Sequence, residues 1–214
     1  MTAVDPLALR QALGSFVTGV TIVTARDPAG EPVGLTVSSF NSVSLDPPLV
    51  LWSLSLKSAS LPSFREARSW AVHVLSAGQE AMSARFATPG ADRFADLALA
   101  DGPEGAPQLP DFAARFGCAA TFEYEGGDHA IFVGHVADLQ RREAEPLVYH
   151  GGRYGRVAGA AEQETALFRE EGGLLALTAD GRGLIAELRD ALAAGRLAEE
   201  DRALLADLYR RSAD

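Results

Sequence analysis

The residues best suited to chemistry lie between Gly34 and Pro48, where hydroxyls are packed unusually densely. Leu35, Val37 and Val43 alternate with Thr36, Ser38, Ser42 and Ser44, a period near two that predicts a strand. A row of neutral hydroxyls and strand amides can bond a phosphorylated, flat, amide-like ligand without burying an unpaired charge. The same pattern would serve a half-exposed strand whose polar face is wet. Further along stand Arg85-Phe86 in a short amphipathic segment, Gly127-Asp128-His129 at a turn, and Gly152 with Tyr154 near the end of the strand-rich region. Lys57 is the only lysine among 19 basic residues, and it sits beside Ser58-Ala59-Ser60.

Other chemistries lack their signatures. No Gly-x-Gly-x-x-Gly opens a helix after a strand, and there is no phosphate-loop lysine motif. His73, His129, His135 and His150 do not fall into metal-ligand spacing, and no serine occupies a nucleophile elbow. Cys118, the single cysteine, has no basic or histidine neighbour in sequence and opens an apolar stretch, so it reads as a buried structural thiol. A net charge of −10 argues against nucleic acid and leaves any anionic ligand to be held by local donors. No apolar run reaches bilayer-spanning length, and the N-terminus lacks a basic region followed by an apolar run; a cytoplasmic protein is expected.

The elements that must position these residues follow from punctuation and periodicity. Asp5-Pro6 predicts a helix start, with Asp as cap and Pro in the first turn. Asp27-Pro28-Ala29-Gly30 predicts a turn joining two antiparallel strands. Asp46-Pro47-Pro48 interrupts the ladder, and the apolar run Leu49–Leu54 is consistent with a central buried strand. A short helix near Leu61–Ala67, a strand at Trp70–Leu75 and a helix at Gln79–Phe86 follow, then a loop over Pro103–Pro110. Cys118–Glu125, Ala130–Leu139 and Pro146–His150 complete the strands, with Glu125-Gly126-Gly127-Asp128 as a hairpin connection. So many short strands predict a closed antiparallel barrel with a few small helices over residues 1–158. From Glu162 the pattern turns helical, and residues 159–214 read as a helical extension. Leu177-Thr178 with Gly181-Arg182 resembles the end of a winged-helix regulator of the multiple-antibiotic-resistance type, but the piece is too short for that whole fold.

Gly19-Val20-Thr21-Ile22-Val23-Thr24, Gly34–Phe40, Ser42–Pro48, Gln79–Phe86, Gly127-Asp128-His129, and Pro146–Tyr149 with Gly152 and Tyr154 together resemble the short-chain flavin reductases. These are the reductase components of two-component flavin monooxygenases, and the likeness spans residues 7–157. It implies an antiparallel split β-barrel of the FMN-binding type, a homodimer, FMN or FAD as flavin and NADH or NADPH as hydride donor. It also implies a partner monooxygenase that receives the reduced flavin. Carried onto this chain, it assigns flavin contacts to Gly34, Leu35, Thr36, Val37, Ser38, Ser39, Ser53, Leu54, Ser58, Ala59, Ser60, Arg85 and Phe86. Asn41 could reach the ring edge or form a turn. His129, oriented by Asp128, would contact the nicotinamide cofactor, with Gly152 and Tyr154 as the other wall. Hydride passes directly when nicotinamide C4 lies over flavin N5, which needs positioning rather than a general acid or base. Two other readings stay open: a flavin- or haem-binding carrier or sensor without turnover, and a C-terminal module that gates the barrel on binding an aromatic effector or the oxygenase.

Overall fold

Asp5 accepts hydrogen bonds from the N–H groups of Leu7 and Ala8 and Pro6 enters the first turn, so α1 (Pro6–Gly14) starts where the Asp-Pro pair predicts. None of its residues is buried within the chain, and Leu7, Leu13 and Phe16 stand more than 60% exposed. The computed structural model describes residues 4–157, 167–171 and 174–212. The chain divides into two compact units, Met1–Val157 and Ala158–Asp214.

The first unit is antiparallel throughout. β1 (Thr18–Gly19) leads into β2 (Thr21–Arg26), and the Asp27–Gly30 turn returns the chain as β3 (Pro32–Val37). The carboxylate of Asp27 accepts from the N–H groups of Ala29 and Glu31, and Gly30 takes a φ of +88°, the conformation that turn needs. β4 (Asn41–Leu45) and β5 (Pro48–Ser55) form a hairpin; α2 (Leu61–Glu66), β6 (Ser69–Val74) and α3 (Glu80–Ala87) follow. Two short strands, β7 (Ala100–Asp101) and β8 (Pro107–Gln108), precede the long hairpin of β9 (Ala114–Gly126) and β10 (His129–Arg141). The latter turns at Gly127, φ +71°. β11 (Leu147–His150) and β12 (Arg153–Arg156) end the unit.

Seven strands lie in the order β3-β2-β6-β9-β10-β5-β4, and β1-β11-β12 form a separate three-stranded sheet. Inside, Trp52 stacks on Phe132 at 4.7 Å between centroids and meets Phe64 and Trp70 edge-on at 4.9 and 5.8 Å. Gly134 is required by this packing, since a Cβ there would stand 2.5 Å from Trp70. Cys118 is buried as expected, and burial pushes its thiol up to about 12.

Several sequence expectations change, and β8 falls inside the Pro103–Pro110 segment expected as a loop. The hydroxyl-rich segment is two strands, β3 and β4, which occupy opposite ends of the seven-stranded sheet. The chain breaks at Ser38–Phe40 because Phe40 turns in to pack on Phe116, 5.4 Å between centroids. β5 is not fully buried: Val50, Trp52 and Leu54 face the core while Leu49, Leu51, Ser53 and Ser55 alternate outward, and β5 lies beside the edge strand rather than at the centre. β12 is an additional strand. The second unit opens not with a helix but with a hairpin of β13 (Phe168–Glu171) and β14 (Leu174–Leu177); residues 162–166 lie outside the described residues. α4 (Ala179–Ala193) and α5 (Glu199–Ser212) follow, and Ile185, Leu197, Leu205 and Leu208 form that unit's own core with Leu167 and Leu177. Gly181 approaches Leu167 so closely that a Cβ would lie 2.3 Å from its carbonyl oxygen.

A fully buried histidine locks the long connection before β9. The Nδ1 of His73 donates to the Ile22 carbonyl at 3.2 Å, and its Nε2 accepts from the Leu109 N–H at 3.0 Å. Only the Nε2 bond needs the neutral ring, since a protonated ring keeps its Nδ1–H donor but loses its acceptor. Burial lowers its pKa from 6.5 to about 3, outweighing the raising effect of the Ile22 bond. In the unfolded chain the ring takes up a proton near 6.5, so stability is fully present above that pH and falls as pH drops toward 3. Urea titrations at pH 8, 6, 5 and 4 should therefore show a falling unfolding free energy. His73→Phe, which orphans both backbone groups, should cost about 1–3 kcal/mol at pH 8 and flatten this component of the slope.

Candidate active site

The seven-stranded sheet ends in two strand edges that nothing in the ladder covers. β3 pairs only with β2, so its other edge is open. The Asp27 N–H bonds the Glu31 carbonyl, and the register Arg26↔Pro32 through Thr21↔Val37 then directs the amides of Val33, Leu35 and Val37 toward β2. Gly34 and Thr36 therefore turn their backbone N–H and C=O groups outward. Across from them, β5 pairs with β4 only as far as Leu51, which leaves Trp52–Ser55 with an open edge on that side.

One side chain bridges this seam. The Ser39 hydroxyl donates to the Ser53 carbonyl and accepts from the Ser53 N–H, both at 2.9 Å. Around the bridge lies a cleft of ≈ 290 Å³ lined by Leu35, Thr36, Val37, Ser38, Ser39, Ser53, Leu54, Ser55 and His129. His129 is in register with Ser55, at the start of β10. Its Nδ1 lies 2.7 Å from the Asp128 Oδ1, which fixes the ring and turns Nε2 away from that partner. The hydrogen bond from His129, and after it the charge of that ring, hold the Asp128 carboxyl below its ordinary value; Lys57 adds a smaller pull in the same direction.

Two further spaces adjoin the seam strand. A groove of ≈ 700 Å³ runs past Gly34, Lys57, Ser58, Ala59 and Ser60 to the loop Pro89–Phe94. Arg93 reaches from that loop to the carbonyls of Gly34 at 2.7 Å and Thr88 at 3.3 Å, and its Nε is buried without a hydrogen-bond partner. On the other side, Thr36, Val37, Ser38, Ser83, Tyr149 and Tyr154 line a cleft of ≈ 180 Å³. The Ser83 carbonyl accepts from the Thr36 hydroxyl at 2.7 Å, and its own hydroxyl lies 2.9 Å from the Tyr154 hydroxyl.

The structure thus brings together Gly34 to Ser39, Ser53, Leu54, Ser58 to Ser60, His129 and Tyr154 around one strand. Other candidates stand apart from these spaces. Phe86 is fully buried, packs edge-on against Phe94 and lies beneath Gly34, where an added Cβ would meet both rings at 3.0 Å. Arg85 donates to the Ala95 carbonyl and holds the 89–97 loop in place. Asn41 is exposed on β4 and its side-chain carbonyl accepts from the Ser42 N–H. Gly152 supplies the turn between β11 and β12, with a φ of +83°. Two residues were missed by the sequence reading. Arg93 carried one faint signal, a basic-aromatic pair closing a Pro-Gly loop; Ser83 carried none.

The groups present fit a flavin: free strand-edge amides and hydroxyls for a ring with imide donors and acceptors, and Lys57, Arg93 and the Ser58–Ser60 turn for a phosphate. Among the described residues no cluster could hold a metal ion. The family model for the flavin reductase like domain matches residues 13–158, and the chain belongs to that family. It is 50% identical over 149 residues to the NADH-dependent FMN reductase of Agrobacterium fabrum, covering 70% of this chain and 84% of that protein. The reductase component of the 4-nitrophenol 4-monooxygenase/4-nitrocatechol 2-monooxygenase of Rhodococcus opacus is 39% identical over 151 residues, 71% of this chain and 80% of its own. The Streptomyces globisporus NADH:FAD oxidoreductase, solved in complex with NAD and FAD fragments, superposes with a TM-score of 0.69 at 40% identity, covering 75% of this chain and 99% of that one.

Because the Ser39 hydroxyl stands in for a missing ladder, Ser39→Ala should strand the Ser53 N–H and C=O. We expect a loss of about 1–3 kcal/mol, seen as a lower urea midpoint at unchanged slope.

Proposed function

We propose that the chain is an NAD(P)H:flavin oxidoreductase that passes a hydride from a nicotinamide cofactor to FMN or FAD and supplies the reduced flavin to a partner monooxygenase. The observation that carries this is the unclosed seam, where neutral hydroxyls and free strand-edge amides face a cleft with the Asp128–His129 pair at its mouth. Bound flavin supplies the two-electron carrier chemistry. The protein's part is position. Thr36, Ser38 and the β3 edge hold and orient the ring, Gly34 and Ser58 to Ser60 receive the phosphate end, and His129 directs the nicotinamide toward the seam. Tyr154, tied to Ser83, walls the other side. A site held largely by neutral groups gives up its ligand readily, as a reductase feeding a second enzyme requires. The names of its relatives support the same activity and a monooxygenase partner.

The reading includes a cytoplasmic homodimer. No helix among the described residues is long and apolar enough to cross a membrane. Exposed apolar residues on α1, and separately Phe122 and Tyr124 on β9, offer apolar surface for a second copy. Light scattering that returned the mass of a single chain would remove the dimer. We assign the chemistry to residues 1–158 and an accessory role to residues 159–214.

Anaerobic stopped-flow mixing of protein and flavin with NADH or NADPH tests the activity. Flavin absorbance should bleach only when the protein is present, and His129→Ala should slow the bleaching by about tenfold to a hundredfold. Flavin that binds yet bleaches no faster than in free solution would favour a carrier or sensor instead.

A further inference from the structure

Ser83 is completely buried on the inward side of α3, one turn before Phe86, yet neither helix nor core requires a serine there. Alanine is the better helix former and would bury no hydroxyl. Tyr154 poses the same question. Its ring packs edge-on against Tyr149 at 5.5 Å, a contact that phenylalanine would make as well. The two surplus hydroxyls meet each other at 2.9 Å. A second bond is made by the backbone of the same residue, where the Ser83 carbonyl accepts from the Thr36 hydroxyl at 2.7 Å. One helical residue thus holds the seam strand with its carbonyl and the facing wall with its side chain.

That wall stands on an edge strand. β12 pairs only with β11, in a sheet separate from the seven-stranded one. Gly151 and Gly152 turn the ribbon with φ of +56° and +83°, and the Gly151 N–H donates to the Gly14 carbonyl at 2.9 Å. Thr36, Val37 and Ser38 line both the cleft that Tyr154 walls and the one that holds Ser53, Ser55 and His129. Tyr154 therefore stands across a narrow cleft from residues assigned to the flavin ring.

Resting on the reductase reading, we infer that Ser83 is a positioning residue for the hydride transfer. Through Tyr154 it sets the spacing between the β12 wall and Thr36–Ser38, and with it the alignment of the two reacting rings. Alignment of this kind acts on the rate of the chemical step more than on binding, because a small misplacement of reacting atoms is costly. The device needs no charge, and either hydroxyl of the pair is dispensable for packing.

Anaerobic stopped-flow reduction of flavin by saturating NADH or NADPH, on the full-length protein, tests this. Ser83→Ala should lower the reduction rate constant about three- to tenfold, the worth of one hydrogen bond. The flavin Kd and the urea midpoint should stay near wild type. Tyr154→Phe should lose the same factor, and the double variant no more than either, since both substitutions remove one bond. An unchanged rate constant in Ser83→Ala would overturn the role, as would losses that multiply in the double variant. A slower rate matched by a weakened flavin Kd or a lowered urea midpoint would make Ser83 merely structural and overturn it too. Each of these leaves the reductase reading intact. No reduction by the wild type with either dinucleotide would instead remove that reading, and the positioning role with it.

Discussion

The site depends on a sheet that does not close. β3 and β5 face each other across a seam where no backbone ladder forms, and one side chain, Ser39, bonds both the N–H and the C=O of Ser53 in place of a strand. Unpaired strand edges ordinarily invite aggregation or are covered. Here the open groups of Gly34, Thr36 and Ser55 border a cleft, and a flat ligand with its own donors and acceptors can complete what the ladder leaves undone. The constraint explains why serine and threonine crowd this segment. A larger side chain at the seam would fill the space, and an apolar one would leave buried amides without partners.

The surrounding elements hold that seam from both sides. Arg93 bonds the outward Gly34 carbonyl, and Phe86 with Phe94 packs beneath the same glycine, so the 89–97 loop and α3 fix the start of β3. Ser83 ties Thr36 to Tyr154, which fixes its end. The β3 strand is therefore braced at both ends, while the seam beside it presents mainly neutral hydroxyls and amides. Direct hydride transfer needs that combination, because the barrier is lowered by alignment and not by proton movement.

Local chemistry was legible in the sequence wherever the partners are neighbours. Asp5-Pro6, Asp27–Gly30 and Gly126-Gly127 marked a helix start and two turns because capping and positive φ are properties of a few adjacent residues. The period of two in β3, and the resemblance that rests on the strand motifs, carried the fold class. What was not legible depends on distant contacts. Phe40 ends β3 by packing on Phe116, and Arg93 belongs to the site only because the Gly34 carbonyl is there to receive it. The glutamate-bearing stretch before Leu174 suggests helix, yet Phe168–Glu171 pairs as a strand with Leu174–Leu177. Phe86 shows the converse difference between sequence and structure. Its place in a motif suggests contact with a ligand, while its burial makes it the floor beneath the residue that lines the groove.

The central claim is that the open seam between β3 and β5 is where flavin sits. Backbone hydrogen exchange on the full chain, with and without saturating FMN or FAD, tests it most directly. The account predicts new protection concentrated at Gly34–Ser39, Ser53–Ser55 and Ser58–Ser60. Protection that leaves those segments unchanged and appears elsewhere on the barrel would contradict it.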